Sequence, residues 1–330
     1  MKCIRMMDHY LSRAMLDLTD VSKKYHGAGS YALDSISLNM KNGSVLGLAG
    51  LNGAGKTTAI KIASGVLTAS KGKVVIDGID LSANRSTAIR NVGWVPENDT
   101  FDPHYSALDL LRYYCGLYGM ASSEAKSLSE NLLERVGLGK NKCQRLNTYS
   151  LGMRKRFMVA SALIADPKNL LLDESFNGLD PEGFRFLKNT IVDARNEGKS
   201  VLVSSHILSE MSDLADLVAI IHKGRVIKTL DRSEISRDGA KVIHVRLDRV
   251  DQRIIQDLKE FGNVSVQNGL VVVFNPTIGE NELEVVSRKL HKDGFLVLEC
   301  KMVSEKLEDQ FFRIIEEFES ESAVEGTQVN

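Results

Sequence analysis

The sequence lacks a surplus of charge and any pairing of its cysteines. Lys and Arg (42) almost balance Asp and Glu (43), which gives a formal net charge of -1. Proteins that bind nucleic acid usually carry a basic surplus, so the composition disfavours nucleic acid as a partner. The basic run Arg154-Lys155-Arg156 is interpreted as the exposed side of a helix. The four cysteines form no Cys-x-x-Cys pair, which favours reduced thiols in a cytosolic protein.

Long apolar runs are also missing. None approaches the roughly 20 residues that a membrane-spanning helix needs, and the longest, such as Leu217–Ile221, suit a buried strand. Charged residues interrupt the first fifteen positions, so this segment does not resemble a signal peptide. We therefore expect any link to a membrane to run through a partner.

What is present is a pattern of short apolar runs that alternate with helical segments, as a parallel α/β sheet requires. Strand-like runs occur at Val45–Ala49, Leu170–Leu172 and Val201–Val203, and a mostly helical stretch from about residue 106 to 165 lies between the first two. The last hundred residues follow the order β-α-β-β-α-β, with the tight-turn pair Asn268-Gly269 between the central strands. That order predicts a ferredoxin-like unit.

The segment from Gly50 to Thr57 fits the P-loop pattern Gly-x-x-x-x-Gly-Lys-Thr, after a strand and before a helical pattern. Glycines let backbone N–H groups turn toward a phosphate, and the helix N-terminus adds positive potential. Lys56 can then reach the β- and γ-phosphates, and the Thr57 hydroxyl can hold Mg²⁺. The predicted ATP-binding residues here are Gly50, Asn52, Gly53, Ala54, Gly55, Lys56, Thr57 and Thr58.

Two acids, Asp173 and Glu174, end the apolar strand Leu170–Leu172. By themselves they are a common pair of solvated acids at a strand-to-loop junction. Beside a P-loop, Asp173 is placed to support Mg²⁺, and Glu174 is placed to polarise the attacking water as the catalytic base. The two motifs together predict a P-loop NTPase.

Three further motifs narrow the class. Tyr149–Arg154 precedes the acidic strand, Asn177–Pro181 follows it, and Ser204–His206 ends another apolar strand. With the P-loop and the acids, their order and spacing resemble the ATP-binding cassette (ABC) family over roughly residues 16–230.

The resemblance implies roles for five more residues. Tyr25 looks like the aromatic residue that stacks on adenine, and Ser150 and Gly152 look like the signature that contacts the γ-phosphate bound to the other subunit. Asp180 looks like the acid at the dimer interface, and His206 like the histidine that senses the γ-phosphate and acts with the catalytic base.

Two departures from the family pattern stand at the site. Glu97 occupies the place of a frequent glutamine; its carboxylate can still ligate Mg²⁺, but it adds negative charge near the nucleotide. Leu151 replaces the first glycine of the signature. Both departures look like the subgroup of exporter ATPases for drugs, antibiotics, lipids or small peptides. Because the P-loop lysine and both acids are kept, we interpret them as subgroup markers.

The predicted fold class is α/β: a P-loop NTPase (RecA-like) core with a helical insertion and a small C-terminal α+β, ferredoxin-like unit. The expected domains are an N-terminal extension (1–14), the ATP-binding cassette (15–235, with its helical subdomain at about 97–165), an accessory domain (236–320) and a flexible tail (321–330). The accessory domain could regulate the ATPase, strengthen a dimer or bind a ligand; the preferred expectation is a stabilising appendage without a ligand.

The resemblance implies an ATP- and Mg²⁺-dependent ATPase subunit of an ABC transporter, at the cytoplasmic face of the membrane. Its expected partners are a second ATP-binding subunit, with a homodimer as the expected form, and an integral membrane permease. One alternative is a soluble ABC ATPase that acts on ribosomes or DNA, but such proteins usually carry two cassettes or a long coiled coil. The other alternative is a nucleotide-binding regulator without turnover.

Overall fold

The computed structural model describes residues 14–207, 209–235, 241–267, 270–274, 283–304 and 307–327. They form two compact units: the first contains the residues up to Asp231 and those from Glu321 on, and the second spans Arg232–Ser320. The Asn268-Gly269 turn and residues 1–13 of the expected extension lie outside the described residues. None of the helices that the structure describes has the length and apolar character to cross a bilayer.

The first unit contains two β-sheets and the α-helices that connect their strands. In the described part its strands are β1 (Ala14–Lys23), β2 (Leu33–Lys41), β3 (Val45–Ala49), β4 (Lys71–Ile76), β5 (Ile79–Asp80), β6 (Val92–Val95), β7 (Asn169–Leu172), β8 (Ser200–Ser205), β9 (Leu217–His222) and β10 (Arg225–Asp231). Its α-helices there are α1 (Lys56–Ala63), α2 (Arg85–Ala88), α3 (Ala107–Leu117), α4 (Ser122–Arg135), α5 (Leu151–Ala162), α6 (Pro181–Asn196) and α7 (Ser209–Ser212). Short 3-10 turns are Ile89–Asn91, Gly139–Asn141 and Leu146–Thr148.

The central sheet has the order β10-β9-β3-β8-β7-β6, and all its pairings are parallel except that of β10 with β9. The inner strands β3, β7, β8 and β9 are buried on both faces, and successive side chains point to opposite faces. In β7, Leu171 packs into the cluster with α1, whereas Leu170 and Leu172 pack into the cluster with α5 and α6. Each such leucine contributes roughly 1.5–3 kcal/mol by its burial.

A second, antiparallel sheet has the order β2-β1-β4-β5 and packs against α1. Its strand β1 begins at Ala14, one residue inside the segment predicted as an extension. Strands β4 and β5 are joined by Asp77 and Gly78, both with positive φ, as the hairpin signal of this pair predicts.

The helical insertion lies between β6 and β7 and includes α3, α4 and α5. Helix α5 can approach β6 closely because Gly93 has no side chain: a Cβ there would lie 2.5 Å from the carbonyl oxygen of Ala162. The insertion therefore sits directly on the strand that leads to Glu97.

The second unit contains, in its described part, α8 (Arg232–Ile235), β11 (Lys241–Leu247), α9 (Gln252–Leu258), β12 (Asn263–Gln267), β13 (Leu270–Phe274), α10 (Leu283–Lys292), β14 (Val297–Ser304) and the start of α11 (Leu307–Thr327). Its antiparallel sheet has the order β12-β13-β11-β14. In order of appearance this is 2-3-1-4, which is the ferredoxin-like arrangement predicted from the sequence.

Two further boundaries differ from the sequence-based expectation. The apolar residues within Phe295–Leu298 predict the last strand there, but this strand runs from Val297 to Ser304, because its pairing with β11 continues to Lys241. The segment expected as a flexible tail from residue 321 is helical as far as Thr327. The first turns of helix α11 contain buried residues such as Phe311, which stabilise the start of the helix. Once a helix has formed, each further residue adds a backbone hydrogen bond at a low cost in free energy, so the helix continues to Thr327.

Candidate functional site

The site lies where neighbouring parallel strands end. Ala49 at the end of β3 pairs with Ser205 of β8, and Leu172 at the end of β7 pairs with Val203 of β8. The segments that follow β3, β7 and β8 are the P-loop, the two acids and His206. In an open α/β sheet, ligands bind at this carboxyl edge, at the point where the strand order reverses.

The P-loop bends tightly at its glycines. Gly55 has φ +115°, and a Cβ there would lie 2.8 Å from the carbonyl oxygen of Ala32. Gly50 also has no room for a side chain, because a Cβ would lie 2.5 Å from the carbonyl oxygen of Ile221. Gly53 has φ +80° but faces open space. The loop therefore needs glycine at Gly50 and Gly55 because a side chain would collide with the backbone, and at Gly53 and Gly55 because φ is positive.

Gly55→Ala is expected to lower the free energy of unfolding by about 3 kcal/mol, since it combines left-handed backbone strain with a collision against Ala32. Gly53→Ala shares only the backbone strain and is expected to cost about 1 kcal/mol. Urea unfolding of both variants measures the difference. Equal losses would show that the contact with Ala32 is unimportant.

Lys56 begins helix α1 and is buried. Its ammonium group donates to the carbonyl oxygens of Gly50 (2.6 Å) and Leu51 (3.2 Å) and forms an ion pair with Glu174 Oε1 at 2.9 Å. The P-loop is thus tied to the end of β7 by a buried ion pair.

Asp173 is fully buried, and the oxygen Oδ1 accepts hydrogen bonds from the hydroxyl groups of Thr57 (3.1 Å) and Ser204 (3.0 Å). Burial raises the pKa of its carboxyl group, although these hydrogen bonds act in the opposite direction. Its other oxygen, Oδ2, is buried and has no hydrogen-bond partner within the described residues. An unpartnered carboxylate oxygen beside a threonine hydroxyl is the kind of oxygen donor set that Mg²⁺ takes when phosphates supply further ligands, so these residues fit the ion.

Glu174 is the centre of a second network. Its Oε2 lies 2.9 Å from His206 Nδ1 and accepts a hydrogen bond from Asn177 Nδ2 at 3.1 Å. Burial raises the pKa of this carboxyl group, but the hydrogen bonds from His206 and Lys56 outweigh burial, and the pKa lies below its usual value. The residue also holds φ +43°, a costly backbone conformation for a glutamate. The lowered pKa keeps the Glu174 carboxylate ionised, as a group that accepts a proton must be.

An open cavity of about 370 Å³ lies in front of these groups. Asn52, Thr58 and Glu97 line it, together with P-loop backbone and the Glu174 carboxylate. The half-exposed Tyr25 borders the loop, with its hydroxyl 3.3 Å from Thr58 Oγ1. Glu97 thus reaches the cavity, but the described residues contain no group of three His, Cys, Asp or Glu that could hold a metal by themselves. Its role as an Mg²⁺ ligand stays a prediction.

The signature residues lie at the start of helix α5. Ser150 caps this helix by accepting a hydrogen bond from the Met153 N–H at 3.3 Å, and it is exposed. Asp180 caps α6 through the Gly183 N–H at 2.8 Å, and its Oδ1 lies 3.8 Å from where a Cβ on Gly152 would be. The structure therefore brings Ser150, Gly152 and Asp180 together, and their contact with a second subunit stays a prediction.

The interpretation of Arg154-Lys155-Arg156 as an exposed helix side is wrong. Lys155 is buried, Arg154 pairs with Asp99 at 3.0 Å, and Arg156 pairs with Glu182 at 2.7 Å. The run looks solvated in sequence, but α5 is packed on several sides by β6, α3, α4 and α6.

Sequence reasoning also gave no role to Ser204 and Asn177, which hold the two acids. Ser204 donates to Asp173 and accepts from the Glu174 N–H at 2.9 Å. The available signal was its position at the end of β8, and the parallel pairing of β7 with β8 in the structure puts that end beside the acids. Asn177 gave no such signal, because its contact depends on the loop conformation after Glu174.

Comparisons with known proteins find ATP-binding proteins of ABC transporters that are similar to this chain in sequence and in fold. A family model described as ABC transporter matches residues 33–177. The ABC transporter ATP-binding protein YhcH of Bacillus subtilis (strain 168) is 31% identical over 310 residues, which cover 94% of this chain and 98% of that protein. The bacitracin transport ATP-binding protein BcrA of Enterococcus faecalis is 29% identical over 306 residues, covering 91% and 96%. Among solved structures, cbiO1 from Clostridium perfringens, described as part of the ABC transporter complex cbiONQ, gives a TM-score of 0.60 at 27% identity, covering 67% of this chain and 90% of that one.

Proposed function

The chain belongs to the ABC transporter family as an ATP-binding, ATP-hydrolysing subunit, and from this premise we propose that two copies sandwich two ATP molecules and drive an exporter permease. The observation that carries the proposal is the ion pair between Lys56 and Glu174, with His206 on the other carboxylate oxygen. Lys56 and Glu174 line the cavity and His206 contacts Glu174, so a cation suited to phosphate, a carboxylate and a histidine lie next to one another.

In this proposal each residue has one task. The P-loop N–H groups and Lys56 hold the phosphates, and Thr57 and Asp173 hold Mg²⁺, which neutralises charge that develops on the phosphate oxygens. Glu174 orients the attacking water and accepts its proton, while His206 keeps the carboxylate in place. This is positioning and electrostatic stabilisation with little covalent work for the protein.

Each site is proposed to be completed by the signature of the second subunit. Ser150 and Gly152 lie on the helical insertion and are tied to their own chain through the α5 cap and the neighbouring Asp180. Because Ser150 is exposed, its hydroxyl is free to meet a phosphate across a dimer interface. A homodimer is the simplest assembly, since the chain carries both halves of a site.

The permease is proposed to dock on the helical insertion at the inner face of the membrane. Tyr113 and Leu117 are exposed one helical turn apart on α3, and Tyr105 and Tyr118 are exposed near its two ends. Exposed apolar side chains that lie close together are typical of an interface. The bacitracin transport protein among the relatives supports export as the direction and an antibiotic or similar compound as the cargo.

The dimer proposal predicts that Ser150→Arg lowers the rate of ATP hydrolysis about 100-fold while equilibrium binding of MgATP stays within a few-fold of wild type. The wild-type rate per chain is expected to rise with chain concentration until dimers saturate. Ser127→Arg, at an exposed serine of α4, is the matched control. If Ser150→Arg hydrolyses ATP like the control, one chain contains a complete site and the proposal fails.

A further inference from the structure

Lys155 is a buried cation that the proposed reaction does not use. Its side chain, five residues after the Ser150 cap, passes under the segment that follows β6, and only 5% of the residue is exposed. The ammonium group donates to the carbonyl oxygen of Pro96 at 3.3 Å and to that of Glu97. It thereby joins the helix that carries the signature to the segment that carries Glu97.

The carboxylates that attract this ammonium group belong to residues in or next to the proposed ATP site. Burial lowers the pKa of Lys155, and the carboxylates of Asp99, Glu97 and Asp173 act against burial. A buried cation is costly unless negative groups repay its desolvation. Asp99 is already paired with Arg154 at 3.0 Å. Asp99 is thus shared between Arg154 and Lys155 and gives the largest of these attractions, and Glu97 and Asp173 add to it.

We propose that Lys155 is a positioning residue that fixes the Glu97 segment and offsets the Glu97 charge, so that an acid can stand beside an anionic nucleotide. The inference rests on the proposed function, because it concerns the same cavity. Without the ammonium group, the Glu97 carboxylate repels the phosphates, and the cost appears mainly in nucleotide binding.

A double-mutant cycle of Lys155→Gln and Glu97→Gln tests the electrostatic coupling between the two side chains. Glutamine keeps a donor for the carbonyl oxygens but removes the charge. We expect Lys155→Gln to weaken equilibrium MgATP binding and raise KM about tenfold, or about 1.4 kcal/mol, with kcat changed less. In the Glu97→Gln background the same change is expected to have an effect of less than about twofold. Lys155→Arg, which keeps the charge, is expected to bind MgATP like wild type.

The controls distinguish the electrostatic coupling of Lys155 with Glu97 from a general role of Lys155 in packing. Arg156→Gln changes a neighbouring cation that pairs with Glu182, and it is expected to leave MgATP binding unchanged. Thermal unfolding of every variant shows whether the fold is kept. Unchanged binding in Lys155→Gln, or a loss that Glu97→Gln does not relieve, would overturn the inference and leave the proposed function intact. A wild-type chain that does not bind MgATP would overturn both.

Discussion

Replacing Glu174 by glutamine is expected to lower kcat for ATP hydrolysis about 1000-fold, within the range of general-base catalysis. Glutamine has the same shape, and its amide oxygen can still accept the Asn177 hydrogen bond that now measures 3.1 Å. What it loses is the negative charge, which the wild-type protein maintains by holding the pKa of this carboxyl group low, through His206 and Lys56, against the effect of burial. The chemical step is therefore affected far more than binding.

Equilibrium MgATP binding and size-exclusion chromatography complete that test. The Glu174→Gln chain is expected to bind MgATP within a few-fold of wild type and to accumulate as an ATP-bound dimer, because the site closes and hydrolysis no longer reopens it. Glu197→Gln is the matched control, since that glutamate pairs with Arg135 on the surface. A Glu174→Gln chain that keeps wild-type turnover would show that another group accepts the proton.

The sequence was most informative where a single short segment determines both the backbone conformation and the chemical groups of the site. The P-loop from Gly50 to Thr57 and the acids after β7 are such segments, because glycine conformations and strand ends are local properties. The order of strands in the second unit was also predictable, since period-two alternation and helical stripes are strong local signals.

The sequence was least informative where a contact depends on the packing of distant elements. Lys155 was interpreted as exposed because a basic run usually is, whereas α5 packs on β6 and the Lys155 side chain is buried against Pro96 and Glu97. The same limit explains why Ser204 received no role, since its contact with Asp173 needs the register of two strands that are far apart in the chain.

Removing the charge of Lys56 is expected to harm both stability and catalysis, and the two effects can be separated. Lys56→Met leaves the Glu174 carboxylate buried without its ion pair, since both side chains are only 5–6% exposed. Breaking a buried pair from one side typically costs 3–5 kcal/mol; we expect about 3 kcal/mol here, because His206 and Asn177 still contact the other oxygen. The rate of ATP hydrolysis is expected to fall at least about 100-fold, since a phosphate-binding cation is lost.

The stability loss has a defined pH dependence. In the wild type the pKa of Glu174 is lowered from 4.5, so its ionised form stabilises the fold above that value, and this contribution is lost as the pH falls through the lowered pKa. Lys56→Met removes the hydrogen bond and the charge by which Lys56 lowers this pKa, so the pKa of Glu174 is higher in the variant than in the wild type, and the variant gains less stability from ionisation of Glu174 as the pH rises. The difference in unfolding free energy between the two proteins is therefore expected to be larger at pH 8 than at pH 5.

The double variant Lys56→Met/Glu174→Gln distinguishes the buried charge from a general packing defect. Glutamine removes the uncompensated charge, so urea unfolding is expected to show recovery of most of the lost stability, whereas ATP hydrolysis stays absent because both groups are gone. Lys61→Met, in the same helix α1, is the control for the substitution itself. If the double variant is as unstable as Lys56→Met, the loss comes from the hydrogen bonds of Lys56 to the P-loop carbonyl oxygens at 2.6 and 3.2 Å, and the ion pair contributes little.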